Sequence, residues 1–150
     1  MTGAFRPLDG VRIVEFSGSI AGPSATMILA QLGADVIKVE SPDGDDSRAW
    51  PPHVGDRSVV YRQMCAGKRG IVLDLKQAEG VALALALTDT AAVVLQSMRP
   101  GVAERIGIGE DAVRARNPDV IWFDMNAYGT GPVGRDMPGY DPLVQAYSGI

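Results

Sequence analysis

Apolar residues fall in short runs along this chain, separated alternately by helical and by turn-rich stretches, and that alternation predicts the elements. Val11-Arg12-Ile13-Val14-Glu15-Phe16 is a β-prone run that ends at Ser17-Gly18-Ser19, after which Ala21-Gly22-Pro23-Ser24 opens a helical stretch over Ala25 to Leu32. Pro23 suits a first helical turn, where its missing N–H has no intrahelical partner, and Gly33 supplies a C-terminal stop. Val36-Ile37-Lys38-Val39-Glu40 reads as a second strand, so residues 11 to 40 form a βαβ unit with a right-handed crossover expected.

Ser41 to Gly67 carries turn residues at Pro42-Asp43-Gly44, Pro51-Pro52 and Gly55 and reads as one long surface loop. Ile71-Val72-Leu73 makes a strand, Ala78 to Leu87 a helix apolar on nearly every side, and Ala92-Val93-Val94-Leu95 a strand bound for the sheet interior. Short helices follow at Val102 to Ile106 and Glu110 to Arg116, then the turn Asn117-Pro118-Asp119 and the strand Val120 to Phe123. A Gly-rich loop, Tyr128 to Gly134, leads to Gly139-Tyr140-Asp141-Pro142, where Asp141 as N-cap with Pro142 behind it predicts a final helix. The class is α/β: a Rossmann-like parallel sheet with flanking helices.

Composition narrows the partners. Apolar residues are 46% and charged residues 21% of 150, a globular balance, and the net charge of −4 gives no global field that would draw nucleic acid or an anionic membrane. No apolar stretch approaches a membrane span, and the start of the chain lacks the apolar core of a signal peptide, which leads to a cytoplasmic expectation. Cys65 and His53 are the only cysteine and histidine, so no zinc spacing exists and no metal is expected. A Cys65–His53 nucleophile and base pair lacks a third orienting group, and Cys65 reads as structural or incidental.

The first strand-to-helix turn invites a dinucleotide reading, with Glu40 where such folds place a ribose-binding acid. Gly18 and Gly22 are separated by three residues, however, and G-x-G-x-x-G cannot be written anywhere in the turn. Backbone N–H groups at the helix start remain able to hold an anion. Taken singly, Lys68, Arg69, Lys76, Arg99 and Arg105 read as solvated charges.

Taken together, the motifs resemble a family. Pro7 to Phe16, then Ala21-Gly22-Pro23, then Leu32-Gly33-Ala34-Asp35-Val36-Ile37-Lys38-Val39-Glu40 are similar to the N-terminal signature of the family III CoA-transferases, the CaiB/BaiF family. Gly67 to Lys76 resembles its strand and lysine segment, Arg99-Pro100-Gly101 its R-P-G turn, and Asn117 to Ile121 its next strand. Gly139-Tyr140-Asp141 with Gln145-Ala146 and Ser148-Gly149 resembles the segment just before the nucleophile region.

The resemblance implies a longer enzyme of which residues 1–150 are the N-terminal part of the large CoA-binding domain. It implies a small domain and two interlocked subunits, a homodimer. It also implies CoA transfer between an acyl-CoA and a carboxylic acid through aspartyl anhydride and thioester intermediates, with CoA as substrate and no permanently bound cofactor. The nucleophilic aspartate of such enzymes lies in a motif beyond Ser148-Gly149, absent from this chain, so residues 1–150 alone are expected to be inactive. Carried over by position, the CoA contacts are Gly18, Ser19, Ile20 and Ala21 near the thioester, and Leu73, Lys76, Ser97, Met98, Val102 and Arg105 around the nucleotide, with Tyr140 and Asp141 as auxiliary groups in the acyl pocket. Ser41 stands where some members carry a basic residue, and Ser97-Met98 where many carry Asn-Phe.

Two rival functions follow from the same residues. The racemase branch places a histidine before the aspartate where this chain has Tyr140, and an unperturbed tyrosine, with a pKa of about 10, is a poor base at neutral pH. Transfer is therefore preferred to racemisation. A non-catalytic CoA- or nucleotide-binding module is the reading from another class.

Overall fold

The structure is a computed structural model that describes residues 5–132 and 134–150. Its sheet is built from β1 (Arg12–Phe16), β2 (Asp35–Glu40), β5 (Arg69–Val72), β6 (Val93–Gln96) and β7 (Ile121–Asp124), in the order β5-β2-β1-β6-β7. Every neighbouring pair is parallel, as a β-strand/helix alternation requires. The helices are α1 (Ala21–Gln31), α2 (Val59–Met64), α3 (Ala78–Thr88), α4 (Val102–Ile106), α5 (Glu110–Arg114) and α6 (Asp141–Ser148), and β3 (His53–Val54) pairs with β4 (Arg57–Ser58) in a separate antiparallel hairpin.

Strand alternation decides what each face of the sheet buries. Val14 and Phe16 of β1 and Val94 of β6 join Ala84, Ala103, Ile108 and Val113 in the larger core, under α3, α4 and α5. Ile13 and Val36 join Ala34 in a smaller core beneath α1, with Leu29 and Ala30 packed on it. The face that carries Ile13 and Val36 continues, two residues on, with Glu15 and Lys38, which are register partners. One face therefore turns from apolar to ionic as its strands approach their C-terminal ends.

Several expectations are corrected. Ser41 to Gly67 is not one loop: it holds a 3₁₀ turn at Asp46–Ala49, the β3–β4 hairpin and α2, whose N-cap Ser58 accepts from the Tyr61 N–H. Asp141 is not an N-cap, because Tyr140 occupies that position without a side-chain bond, while the Asp141 carboxylate accepts from Gln145 Nε2 at 2.6 Å. Lys68 is not solvated: its side chain is 1% exposed. Arg69, by contrast, is exposed as expected and pairs at the surface with Asp35 at 2.6 Å.

Candidate functional site

The chain leaves β1 for β2 on one side and returns to β6 on the other, so the order of the sheet reverses between β1 and β6. Ligand sites in open parallel sheets lie beyond the carboxyl ends of the strands at such a point. Two clefts occupy that place. The first, about 630 Å³, is lined by Phe16–Gly18, Lys38–Asp45, Leu73–Lys76, Met98, Val102 and Ile106. The second, about 810 Å³, is lined by Gly18–Gly22, Trp50, Ser97–Pro100, Met125–Gly129, and Gly134, Arg135 and Met137–Pro142. Gly18 and Met98 border both, so the clefts adjoin at the β1–α1 loop.

The candidate residues thus divide in two. Leu73, Lys76, Met98 and Val102 face the first cleft, while Ser19, Ile20, Ala21, Ser97, Tyr140 and Asp141 face the second. Arg105 borders neither; it lies exposed on α4 between the lining residues Val102 and Ile106. The Ser97-Met98 turn is held by Gln96, whose Oε1 accepts from the Met98 N–H at 2.6 Å and whose amide donates to Asp124. Gly101 begins α4 with φ +80°, a conformation a Cβ disfavours, which explains glycine in the R-P-G turn.

Glu40 does not await a ribose. Its carboxylate receives Arg48 Nε at 2.8 Å, Arg48 Nη2 at 3.1 Å and the Tyr61 hydroxyl at 2.6 Å, and the Arg48 guanidinium lies 4.0 Å from the Tyr61 ring centroid. Burial pushes the Glu40 carboxyl up, but these donors outweigh it and its pKa falls below the usual carboxylate value. Burial, with Glu40 as acceptor, pushes the Tyr61 hydroxyl up.

Sequence reasoning missed the charges beneath the β1–α1 loop. Lys68 Nζ donates to Glu15 Oε2 at 2.8 Å, Thr26 Oγ1 at 2.7 Å and the Pro23 carbonyl at 2.9 Å, which uses all its hydrogens. Ser17 Oγ and Thr26 Oγ1 each donate to Glu15 at 2.7 Å. Lys38 Nζ donates to the Ser17 carbonyl at 2.5 Å and stands 2.8 Å from Asp45 Oδ2 and 3.6 Å from Glu15 Oε1. Asp45 Oδ2 has that ionic contact but no hydrogen-bond donor.

Burial works against both charged forms, but Glu15 and Asp45 hold the Lys38 pKa above the usual lysine value, and Lys38 and Ser47 hold Asp45 below the usual carboxylate value. Burial lowers Lys68. Cys65, half-buried beside these groups, is pushed up by burial and so is a poor thiolate. The signal that could have found the network is the pairing of Glu15 with Lys38 at equivalent places in adjacent interior strands, where a parallel sheet leaves neither charge any water.

The family model described as CoA-transferase family III matches residues 8–150. This chain belongs to that family. The chain is 43% identical over 153 residues to the succinate–glutarate CoA-transferase of Agrobacterium fabrum, an alignment that covers 96% of this chain and 38% of the relative. It is 40% identical to the protein of Mycobacterium tuberculosis named "Probable fatty acyl-CoA transferase Rv3272", over 97% of this chain and 38% of that one. The crystal structure of a CaiB/BaiF family protein from Brucella suis superposes with a TM-score of 0.87 at 38% identity, over 96% of this chain and 39% of that one. The family III chain thus spans well under half the length of these relatives. Among its described residues no helix is long and apolar enough to cross a membrane.

Proposed function

We propose that the protein containing this chain moves CoA between an acyl-CoA donor and a carboxylic acid, with the nucleotide end of CoA in the first cleft and the thioester in the second. The observation that carries the reading is the meeting of the two clefts at Gly18 and Met98, over the switch point of the sheet, in a chain of family III. A nucleotide attached to a long thioester arm needs two joined compartments. In the first cleft, Leu73, Met98 and Val102 give an apolar slot and Lys76 a cation for phosphate. In the second, Arg99 and Arg135 supply cations for a free carboxylate beside Tyr140.

The reaction itself follows the aspartyl anhydride and thioester route implied by the family, with the nucleophilic aspartate outside residues 1–150. Tyr140 orients the acyl group, and Asp141, tied to Gln145, lines the pocket. The full-length protein acts as a homodimer in the cytoplasm and uses CoA thioesters as substrates, with no resident cofactor.

The test is calorimetric titration of CoA into the full-length protein, followed by transfer from succinyl-CoA to a panel of free acids that includes glutarate and a fatty acid. Lys76→Ala is expected to weaken CoA binding by roughly 1.5 to 3 kcal/mol through loss of a charge-assisted phosphate bond. Arg105→Ala is expected to act in the same direction and less strongly, since it stands outside the cleft wall. Unchanged affinity in both variants overturns the placement of the nucleotide. In heavy water, transfer is expected without deuterium entering the α position. Rapid α-deuterium incorporation that Tyr140→Phe abolishes, with no transfer to any acid, would establish racemisation instead.

A further inference from the structure

Ser19 is the only described non-glycine residue in left-handed backbone, with φ +63°, a conformation in which the Cβ crowds the chain. Such strain persists only where the surroundings hold it. The holding group is on the far side of the sheet connection: the Ser19 N–H donates to Asp45 Oδ1 at 3.2 Å. The same oxygen accepts from the Ser47 N–H at 2.9 Å and the Ser47 hydroxyl at 2.6 Å. Its partner Oδ2 faces the Lys38 ammonium at 2.8 Å, and it also lies 3.5 Å from where a Cβ on Gly18 would stand.

Behind Asp45 runs a line of alternating charge. Lys38 and Glu15 stand 3.6 Å apart, Glu15 and Lys68 2.8 Å, and none of these side chains is more than 2% exposed. Lys38, Glu15 and Lys68 make no hydrogen bond to a residue lining the second cleft, so Asp45 alone joins the line to it. Asp45 also caps the 3₁₀ turn at Asp46–Ala49 through the Ser47 N–H, so a single carboxylate ties that turn to the loop beside both clefts.

We propose that Asp45 is a positioning residue for CoA transfer: it fixes Ser19, and with it the Gly18–Ala21 wall between the two clefts, while Lys68, Glu15 and Lys38 hold its carboxylate in place. This rests on the reading of the clefts given above. An asparagine at this position keeps an acceptor but turns an NH₂ toward the Lys38 ammonium, donor against donor, so the clamp opens with little change in shape.

The experiment uses the full-length protein and measures hydrogen exchange across residues 17–22, CoA affinity by titration, and turnover of succinyl-CoA with glutarate. Asp45→Asn is expected to speed exchange in that segment at least about tenfold as the loop opens locally. It is expected to lower kcat by about 10- to 100-fold, the scale of a misplaced reacting group, a larger fold-change than any it makes in the CoA Kd.

Ser19→Gly tests the route. Glycine adopts left-handed backbone without a clamp, so Asp45→Asn in that background is expected to cost less than about a third of its effect on kcat in the parent. Equal losses in the two backgrounds, or unchanged exchange and kcat, overturn the proposal. Should Asp45→Asn fail to fold, Ser47→Ala removes one donor and no charge. It is expected to show the same pattern with about a three- to tenfold loss of kcat, and unchanged exchange and turnover there overturn the proposal equally. A parent protein that binds no CoA and transfers to no acid removes the reading of the clefts instead, and the exchange arm then decides whether Asp45 holds the loop.

Discussion

The two clefts share a border but are built on different principles. The first is walled by strand ends and by side chains that the sheet has already fixed: Phe16, Lys38, Val39, Glu40, Asp45 and Leu73 are all buried. The second is walled largely by the segment from Met125 to Pro142, and α6 beyond it has no buried residue. Tyr140, Leu143 and Tyr147 stand exposed there, with Tyr128 and Tyr147 in an edge-to-face contact at 5.6 Å. On the proposed placement of CoA, the invariant nucleotide would have its seat beside the core and the acyl part would meet a wall of loops, which can change without disturbing the sheet.

The largest expected effect breaks the rigid side. Lys38→Met leaves Glu15 and Asp45 buried with their shared cation gone, and is expected to destabilise the protein by about 3 to 5 kcal/mol. Urea unfolding measures it, and a loss below about 1 kcal/mol would mean that water reaches the network. Next comes the junction. A Cβ at Gly22 would collide with the Ser17 side chain and stand 3.1 Å from Leu95, so Gly22→Ala is expected to cost about 1 to 3 kcal/mol by overpacking. A neutral Gly22→Ala in the same measurement would show that the first turn of α1 can shift.

The acidic limb of the stability profile sharpens the contrast. Asp45 and Glu40 have pKa values lowered from 3.8 and 4.5, so each adds stability that is present above those values and is lost as pH falls through the depressed folded ones. Thermal melts are expected to hold from pH 7 to about pH 5 and to fall steeply below the ordinary carboxylate range. Asp45→Asn is expected to flatten that fall, and an identical slope in the variant would remove Asp45 as a contributor. The smallest effect belongs to the loop side. Gln145→Ala, which cuts an exposed bond to Asp141, is expected to change stability by no more than about 0.5 kcal/mol, and a larger loss by urea unfolding would show α6 to be part of the core.

Much of the fold was legible in residue order. The five sheet strands, the long helices α1 and α3 and the interior place of β6 follow from runs such as Val93-Val94-Leu95 and from stops such as Gly33, because local propensity and the tertiary fold agree there. The segment from Ser41 to Gly67 was not legible. Its α2 is six residues long and its hairpin strands two each, too short for periodicity to declare them, and they are held by the Ser58 cap and the Glu40–Arg48–Tyr61 contacts. The Asp141 cap failed for a related reason: its neighbour Tyr140 took the boundary, and the carboxylate found Gln145 one turn on.

Residue order alone determined the α/β class and the family, since each depends on patterns that neighbours in sequence carry. What only the tertiary structure decided is the fate of the charges. Lys68, Lys38, Glu15 and Asp45 are scattered over three strand ends and a loop, and as isolated letters each belongs in water. Packing α1 on the ionic ends of β1 and β2 removes that water, so the charges must satisfy one another, and the Asp45 oxygen turned away from Lys38 binds the Ser47 N–H and hydroxyl and the backbone of Ser19.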